Sequence, residues 1–154
     1  MHTLSQNWKD SEIEKVFMYA VKYKLPIIVH TGFSKMTTCR RFEKFIKNFK
    51  SVPVILAHGQ PEVQAEKLVS TYTNCYLDTA FLSSLQISRL LESEVKAKVL
   101  LGSDYPIQYT YPDTKKLLVE LGENWNVFEK TMTLLNFLEF FAHKVKINDI
   151  QTNQ

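Results

Sequence analysis

The sequence of 154 residues lacks the segments that mark membrane-spanning and secreted proteins. No run approaches the roughly 20 apolar residues that a helix needs to cross a bilayer. Residues 1–25 contain no basic stretch leading into an apolar one, so we expect no signal peptide. The two cysteines, Cys39 and Cys75, have neither CxxC nor CxxCH spacing, which favours a reducing compartment. These absences predict a cytoplasmic protein with no membrane partner.

Clustered positive charge is also lacking. The formal net charge is only +3, and the lysines are spread along the chain rather than gathered in one segment. A nucleic-acid-binding surface needs clustered positive charge, so we expect no nucleic-acid partner.

Ser103 lies in no GxSxG motif, which leaves serine hydrolase chemistry with little support. No linker or low-complexity tract divides the chain, so we expect one domain, at residues 1–146, and a polar tail at 147–154.

Short apolar runs alternate with longer stretches of helical spacing. Each run is rich in β-branched residues and bounded by turn residues, which is typical of buried strands in a parallel sheet. The sequence therefore predicts an α/β fold with about four parallel βα units. The four runs are residues 26–30 (PIIVH), 53–58 (PVILAH), 75–80 (CYLDTA) and 98–102 (KVLLG).

The stretches between the runs predict the helices. Ser11 is expected to cap the first helix, with Glu14 completing a capping box, and the helix is expected to end near Lys24. Further helices are predicted at 36–49, after Pro61, and at 83–95, 113–121 and 127–144. The apolar residues that mark the third helix are Val63, Leu68 and Val69, and those of the fourth are Leu85, Ile87, Leu90 and Leu91.

Three ionisable residues lie at the ends of predicted strands or just after them. His30 and His58 end the first two runs, and Asp104 follows the fourth. Ligands of parallel α/β folds bind at the carboxyl ends of the strands, so these residues are candidate metal ligands. Two imidazoles and a carboxylate suit a divalent metal, zinc first and manganese or iron as alternatives. Asp104 and His58 are the candidate catalytic residues, with Asp104 accepting a proton from water.

Asp78 and Tyr105 are candidate substrate-binding residues near the same edge. Asp78 lies in the third run and Tyr105 directly follows Asp104. For Asp78 the alternative is a hydrogen-bonded strand-end carboxylate, and for Tyr105 it is packing. The expected substrate is a small molecule.

The segments LPIIVHTG, VPVILAHG, NCYLDTA and VLLGSDYPI resemble, in order and spacing, the fifth to eighth strands of the amidohydrolase-related family. This resemblance implies part of a TIM (β/α)8 barrel, its C-terminal half, and hydrolysis of an amide, ester or lactone. It implies that His30 is the fifth-strand metal ligand and that Asp104 is both metal ligand and general base. It also implies that His58 binds a second metal or contacts the substrate or the metal-bound water.

The sequence departs from the family because it contains no His-x-His pair, the motif that supplies the family's other two ligands. We therefore expect a truncated or split form that is inactive alone and that associates with itself or with a complementary N-terminal half. Two alternatives stay open. One is a non-catalytic barrel fragment or scaffold module, and the other is a decarboxylase of the same family.

Overall fold

Four short strands alternate with helices and form one parallel sheet in the computed structural model, which describes residues 8–100 and 102. The sheet order follows the chain, and each neighbouring pair of strands is parallel. The α/β class and the positions of the four predicted strands are confirmed. The helices predicted at 113–121 and 127–144, and the tail, lie outside the described residues. The strands are β1 (Ile27–His30), β2 (Val54–Ala57), β3 (Cys75–Asp78) and β4 (Val99–Leu100).

Helices precede or connect the strands of this sheet. The helix predicted at 36–49 is shorter than expected, because a loop and a 3-10 turn (Cys39–Phe42) occupy its first part. A second 3-10 turn, Lys96–Lys98, leads into β4. Among the described residues, no helix has the length and apolar character to cross a membrane. The helices are α1 (Asp10–Tyr23), α2 (Glu43–Asn48), α3 (Glu62–Thr71) and α4 (Ser84–Glu92).

The start of α1 differs from the prediction. The helix begins at Asp10, so Ser11 lies inside its first turn and Lys9 is the capping residue. The carboxylate that accepts the N–H of the capping residue is consequently that of Glu12 and not that of Glu14. Its Oε2 accepts the Lys9 backbone N–H at 2.6 Å. An acidic residue that bonds the first free N–H also suits the positive end of the helix dipole.

The main core lies between the helices and one face of the sheet. Val29, Leu56 and Leu77 point from three strands to the same side and are fully buried. The opposite face carries a smaller cluster in which Ile55 and Leu100 are buried and Tyr76 packs against them. The alternation of side chains along each strand produces these two faces.

Two of the apolar residues that mark the third and fourth helices are exposed. Val63 in α3 and Leu85 in α4 are each 79% exposed. Both lie in the first turn of their helices, off the stripe that packs on the sheet. In α3 that stripe consists of Ala65, Leu68 and Val69, at the i, i+3 and i+4 spacing of one helical face.

Asn74 joins β3 to the segment before β2. Its buried Nδ2 donates to the carbonyl oxygens of Ile46 at 3.1 Å, Phe49 at 3.2 Å and Val52 at 2.9 Å. These carbonyls end α2 and form the turn into β2, where the backbone cannot supply all the donors itself. One side chain therefore ties the residue before β3 to the turn that leads into β2.

Candidate active site at the carboxyl edge of the sheet

Two predicted site residues, His30 and His58, meet at the carboxyl edge of the sheet. Nε2 of His58 lies 3.0 Å from Nδ1 of His30, so one ring donates a hydrogen bond to the other, in a direction that depends on their tautomers. The rings are nearly perpendicular, with centroids 4.8 Å apart. The two histidines, 28 positions apart in sequence, thus form one imidazole pair.

The backbone of His58 makes this contact possible. In β1 the side chains alternate, so His30 shares the sheet face of Ile28 rather than that of the main core. By the same alternation, His58 would follow Leu56 towards the helices. Its φ of 70° lies in the left-handed region and interrupts the alternation directly after β2. The ring then reaches His30.

Glycine at position 59 is required by the same turn. Gly59 has a φ of 53°, and a Cβ added to it would lie 2.8 Å from Cδ1 of Leu77. Leu77 is a fully buried core residue and cannot move aside freely. The turn therefore needs a residue that tolerates a left-handed backbone and leaves space against β3.

Hydrogen bonds from both neighbouring strands hold the turn. On the β1 side, the hydroxyl of Thr31 donates to the carbonyl oxygen of Ala57 at 2.6 Å and accepts the N–H of Gln60 at 2.9 Å. On the β3 side, Oδ1 of Asp78 accepts the N–H of His58 at 2.9 Å. The left-handed backbone of His58, unfavourable for a residue with a side chain, is thus fixed from both sides.

Asp78 is therefore a hydrogen-bonded strand-end carboxylate, which was the alternative to substrate binding. The same Oδ1 also accepts the N–H of Ala80 at 3.1 Å. A Cβ added to Gly102 would lie 2.8 Å from Cγ and Oδ2 of this carboxylate, so the chain leaving β4 passes directly against it. Asp78 contacts the backbone of His58, and its role in substrate binding stays a prediction.

The second nitrogen of the His58 ring, Nδ1, is buried. Nδ1 has no hydrogen-bond partner among the described residues, and the residue is only 7% exposed. An unpaired buried polar atom costs about 1–3 kcal/mol. In metal-binding histidines the nitrogen that does not hold the ion usually donates to a carboxylate, a backbone carbonyl or water. The partner of His58 Nε2 is instead His30, itself a predicted ligand, so an ion shared by the two histidines would replace the hydrogen bond between them.

Phe81 covers the other side of His58. The two rings are perpendicular with centroids 4.9 Å apart. Phe81 has a φ of 65° and remains 48% exposed. Two neighbouring residues with left-handed backbones thus contact each other at the candidate site, where such strain is often found. No sequence pattern pointed to Phe81, because an aromatic residue after a strand is usually a packing residue.

The remaining predicted site residues, Asp104 and Tyr105, lie outside the described residues. Within residues 8–100 and 102, no group of three or more His, Cys, Asp or Glu side chains is arranged to hold a metal ion. The described part of the site therefore offers two imidazoles, and a third ligand would have to come from elsewhere.

Comparisons with known proteins do not identify a family. No family model matches the sequence, and no curated protein is significantly similar to it. The resemblance to the amidohydrolase-related family therefore rests on the four quoted segments and their order.

Proposed function

We propose that this chain belongs to a metal-dependent hydrolase of the amidohydrolase type, with its four βα units forming part of a (β/α)8 barrel. The observation that carries the proposal is the 3.0 Å contact between His58 and His30 at the ends of adjacent parallel strands. Hydrolytic sites of barrel enzymes lie at this end of the sheet. The proposed substrate is a small amide, ester or lactone.

His30, His58 and Asp104 would hold the ion, zinc first and manganese or iron as alternatives. A bound divalent metal would activate water and polarise a carbonyl group. Gly102, two positions before Asp104, lies against Asp78, which itself holds the backbone of His58. This continuity from β2 to β4 supports a shared site for the histidines and Asp104.

The chain's own residues have separate proposed tasks. Asp104 accepts a proton from water and returns it to the leaving group. As the alternative to holding the ion, the imidazole of His58 would steady the negative charge that develops on the carbonyl oxygen. Tyr105 and Asp78 contact the substrate. Phe81 excludes water from one side of His58, as its edge-to-face contact allows.

Metal analysis of the purified chain tests the proposal. We expect stoichiometric zinc in the unaltered protein, and a loss of zinc in His30→Ala and Asp104→Asn. His143→Ala is the matched control, because it also removes an imidazole but lies outside the proposed ligand set. Unchanged metal content in His30→Ala and Asp104→Asn would show that the site assignment is wrong.

A second chain is proposed to complete the site, because the sequence has no His-x-His pair. It would be another copy of this chain or a complementary half that carries the pair. We expect hydrolysis of a panel of esters and lactones only when such a partner is present. A monodisperse monomer that unfolds cooperatively and hydrolyses the panel alone would contradict this.

A non-catalytic module is the second candidate, and one observation favours it. The hydrogen bond between His30 and His58 satisfies one nitrogen of each ring without any ion. Such a module would bind no stoichiometric metal, with or without a partner. The metal analysis therefore separates the two candidates.

A further inference from the structure

Thr31 and Thr79 occupy equivalent places at the carboxyl edge of the sheet. Thr31 is the first residue after β1, and Thr79 is the first residue after β3. The backbone N–H of Thr31 donates to the carbonyl oxygen of Ala57 at 3.2 Å, and that of Thr79 donates to Leu100 at 2.9 Å. Each threonine thus extends the hydrogen bonding of its own strand by one residue and pairs with the last residue of the next strand.

The two hydroxyls then reach past the end of that next strand. Oγ1 of Thr31 donates to Ala57 and accepts from Gln60, so its bonds lie on both sides of His58. Oγ1 of Thr79 accepts the N–H of Gly102 at 3.1 Å and lies 3.3 Å from its carbonyl oxygen, to which it donates. Both residues are almost fully buried, at 2% and 4% exposure. A hydroxyl is small and can both donate and accept, which suits this use.

We propose that Thr31 and Thr79 are positioning residues that fix, through their hydroxyls, the strand exits leading to His58 and to Asp104. This inference rests on the proposed function. The φ of 70° at His58 is unfavourable, so the turn would relax without the anchors at Ala57 and Gln60 and would carry the imidazole away from His30. Thr79 anchors Gly102, two positions before Asp104 in the sequence.

Zinc titration by calorimetry, with the full chain and any partner it requires, tests the role of Thr31. We expect Thr31→Val, which keeps the shape and removes the hydroxyl, to weaken zinc binding by about 10-fold to 100-fold, the usual effect of removing a group that orients a metal ligand. Thr31→Ser keeps the hydroxyl and should bind nearly as tightly as the unaltered chain. An unchanged affinity in a folded Thr31→Val protein, or an equal loss in Thr31→Ser, overturns the inference.

Thr71→Val is the matched control. Its hydroxyl also donates to a backbone carbonyl, that of Lys67 at 2.7 Å, but at the exposed end of α3. Zinc affinity should not change in this variant, and a loss equal to that of Thr31→Val would overturn the inference. If Thr31→Val does not fold, Thr79→Val decides, because it should also weaken zinc binding and an unchanged affinity would count against the positioning role.

A second measurement separates this inference from the proposed function. Nuclear Overhauser contacts between the rings of His30 and His58 report the imidazole pair without any metal. If the unaltered chain binds no zinc, the proposed function fails, and the ring contacts still test Thr31. We expect them in the unaltered chain and in Thr31→Ser, and their loss in Thr31→Val. Their persistence in Thr31→Val would overturn the positioning role.

Discussion

Asp78 holds the backbone of His58, since its Oδ1 accepts the His58 N–H at 2.9 Å. The same oxygen accepts the N–H of Ala80, so Asp78→Ala leaves two backbone donors without their acceptor. We expect this change to destabilise the protein by about 1–3 kcal/mol. Chemical denaturation gives the free energy of unfolding.

Asp78→Asn is the control for this change, because its side-chain carbonyl oxygen can still accept both N–H groups. It should retain at least half of the stability that Asp78→Ala loses. Equal destabilisation by the two variants would mean that the hydrogen bonds to His58 and Ala80 are not what Asp78 contributes.

The strands could be predicted because each is a short β-branched run bounded by residues that end regular structure. Pro26 and Pro53 directly precede the first residues of β1 and β2, where the missing N–H of proline costs nothing. The first residue of a helix was harder to predict from the sequence. The start of α1 differs by two residues from the predicted one, since Ser11 offers a good cap but the backbone leaves the helix at Lys9.

The meeting of His30 and His58 could be predicted from position, because the carboxyl ends of adjacent parallel strands lie at one edge. The hydrogen bond between the rings could not. It depends on the left-handed backbone of His58, a conformation that few non-glycine residues adopt even though histidine is enriched among them. Phe81 was missed for a similar reason, since its contact with His58 follows from its own backbone angle and not from a pattern of residue types.

Phe81→Gly should expose the ring of His58. The change removes the edge-to-face contact and also relieves the left-handed strain at position 81, so we expect stability to change by less than about 1 kcal/mol. His58 should then react faster with diethyl pyrocarbonate, as measured by mass spectrometry of the peptide that contains it. Phe33→Gly is the control, because Phe33 is an exposed loop aromatic and its removal should leave the rate unchanged. Equal rates in the unaltered chain and in Phe81→Gly would contradict the shielding role.

Asn74 offers a test of the turn between α2 and β2. Asn74→Ala removes the amide group shared by three carbonyl oxygens, of which that of Phe49 still accepts the N–H of Val52, and should cost about 1–3 kcal/mol. Asn74→Asp should cost more at neutral pH, because it places a carboxylate against the same oxygens. The stability that Asn74→Asp loses beyond Asn74→Ala should shrink as the pH falls towards about 4, because the carboxyl group then gains a proton and can donate. Denaturation at the two pH values measures this, and a pH-independent deficit would show that Asn74 does not donate to these carbonyls.

Cys75 makes the stability of the protein sensitive to alkaline pH. Burial raises the pKa of its thiol from 9.0 to about 12, so the folded chain keeps a proton that the unfolded chain releases. The stabilisation of the fold that comes from this raised pKa is therefore fully present below pH 9. It is lost as the pH rises towards 12, at about 1.4 kcal/mol per pH unit. Cys75→Ala should lower stability at pH 8 through the lost packing, yet show a shallower decline between pH 9 and 10.5 in urea denaturation, roughly by that amount per unit. Parallel declines in the two proteins would mean that the Cys75 thiol ionises alike in the folded and unfolded chains.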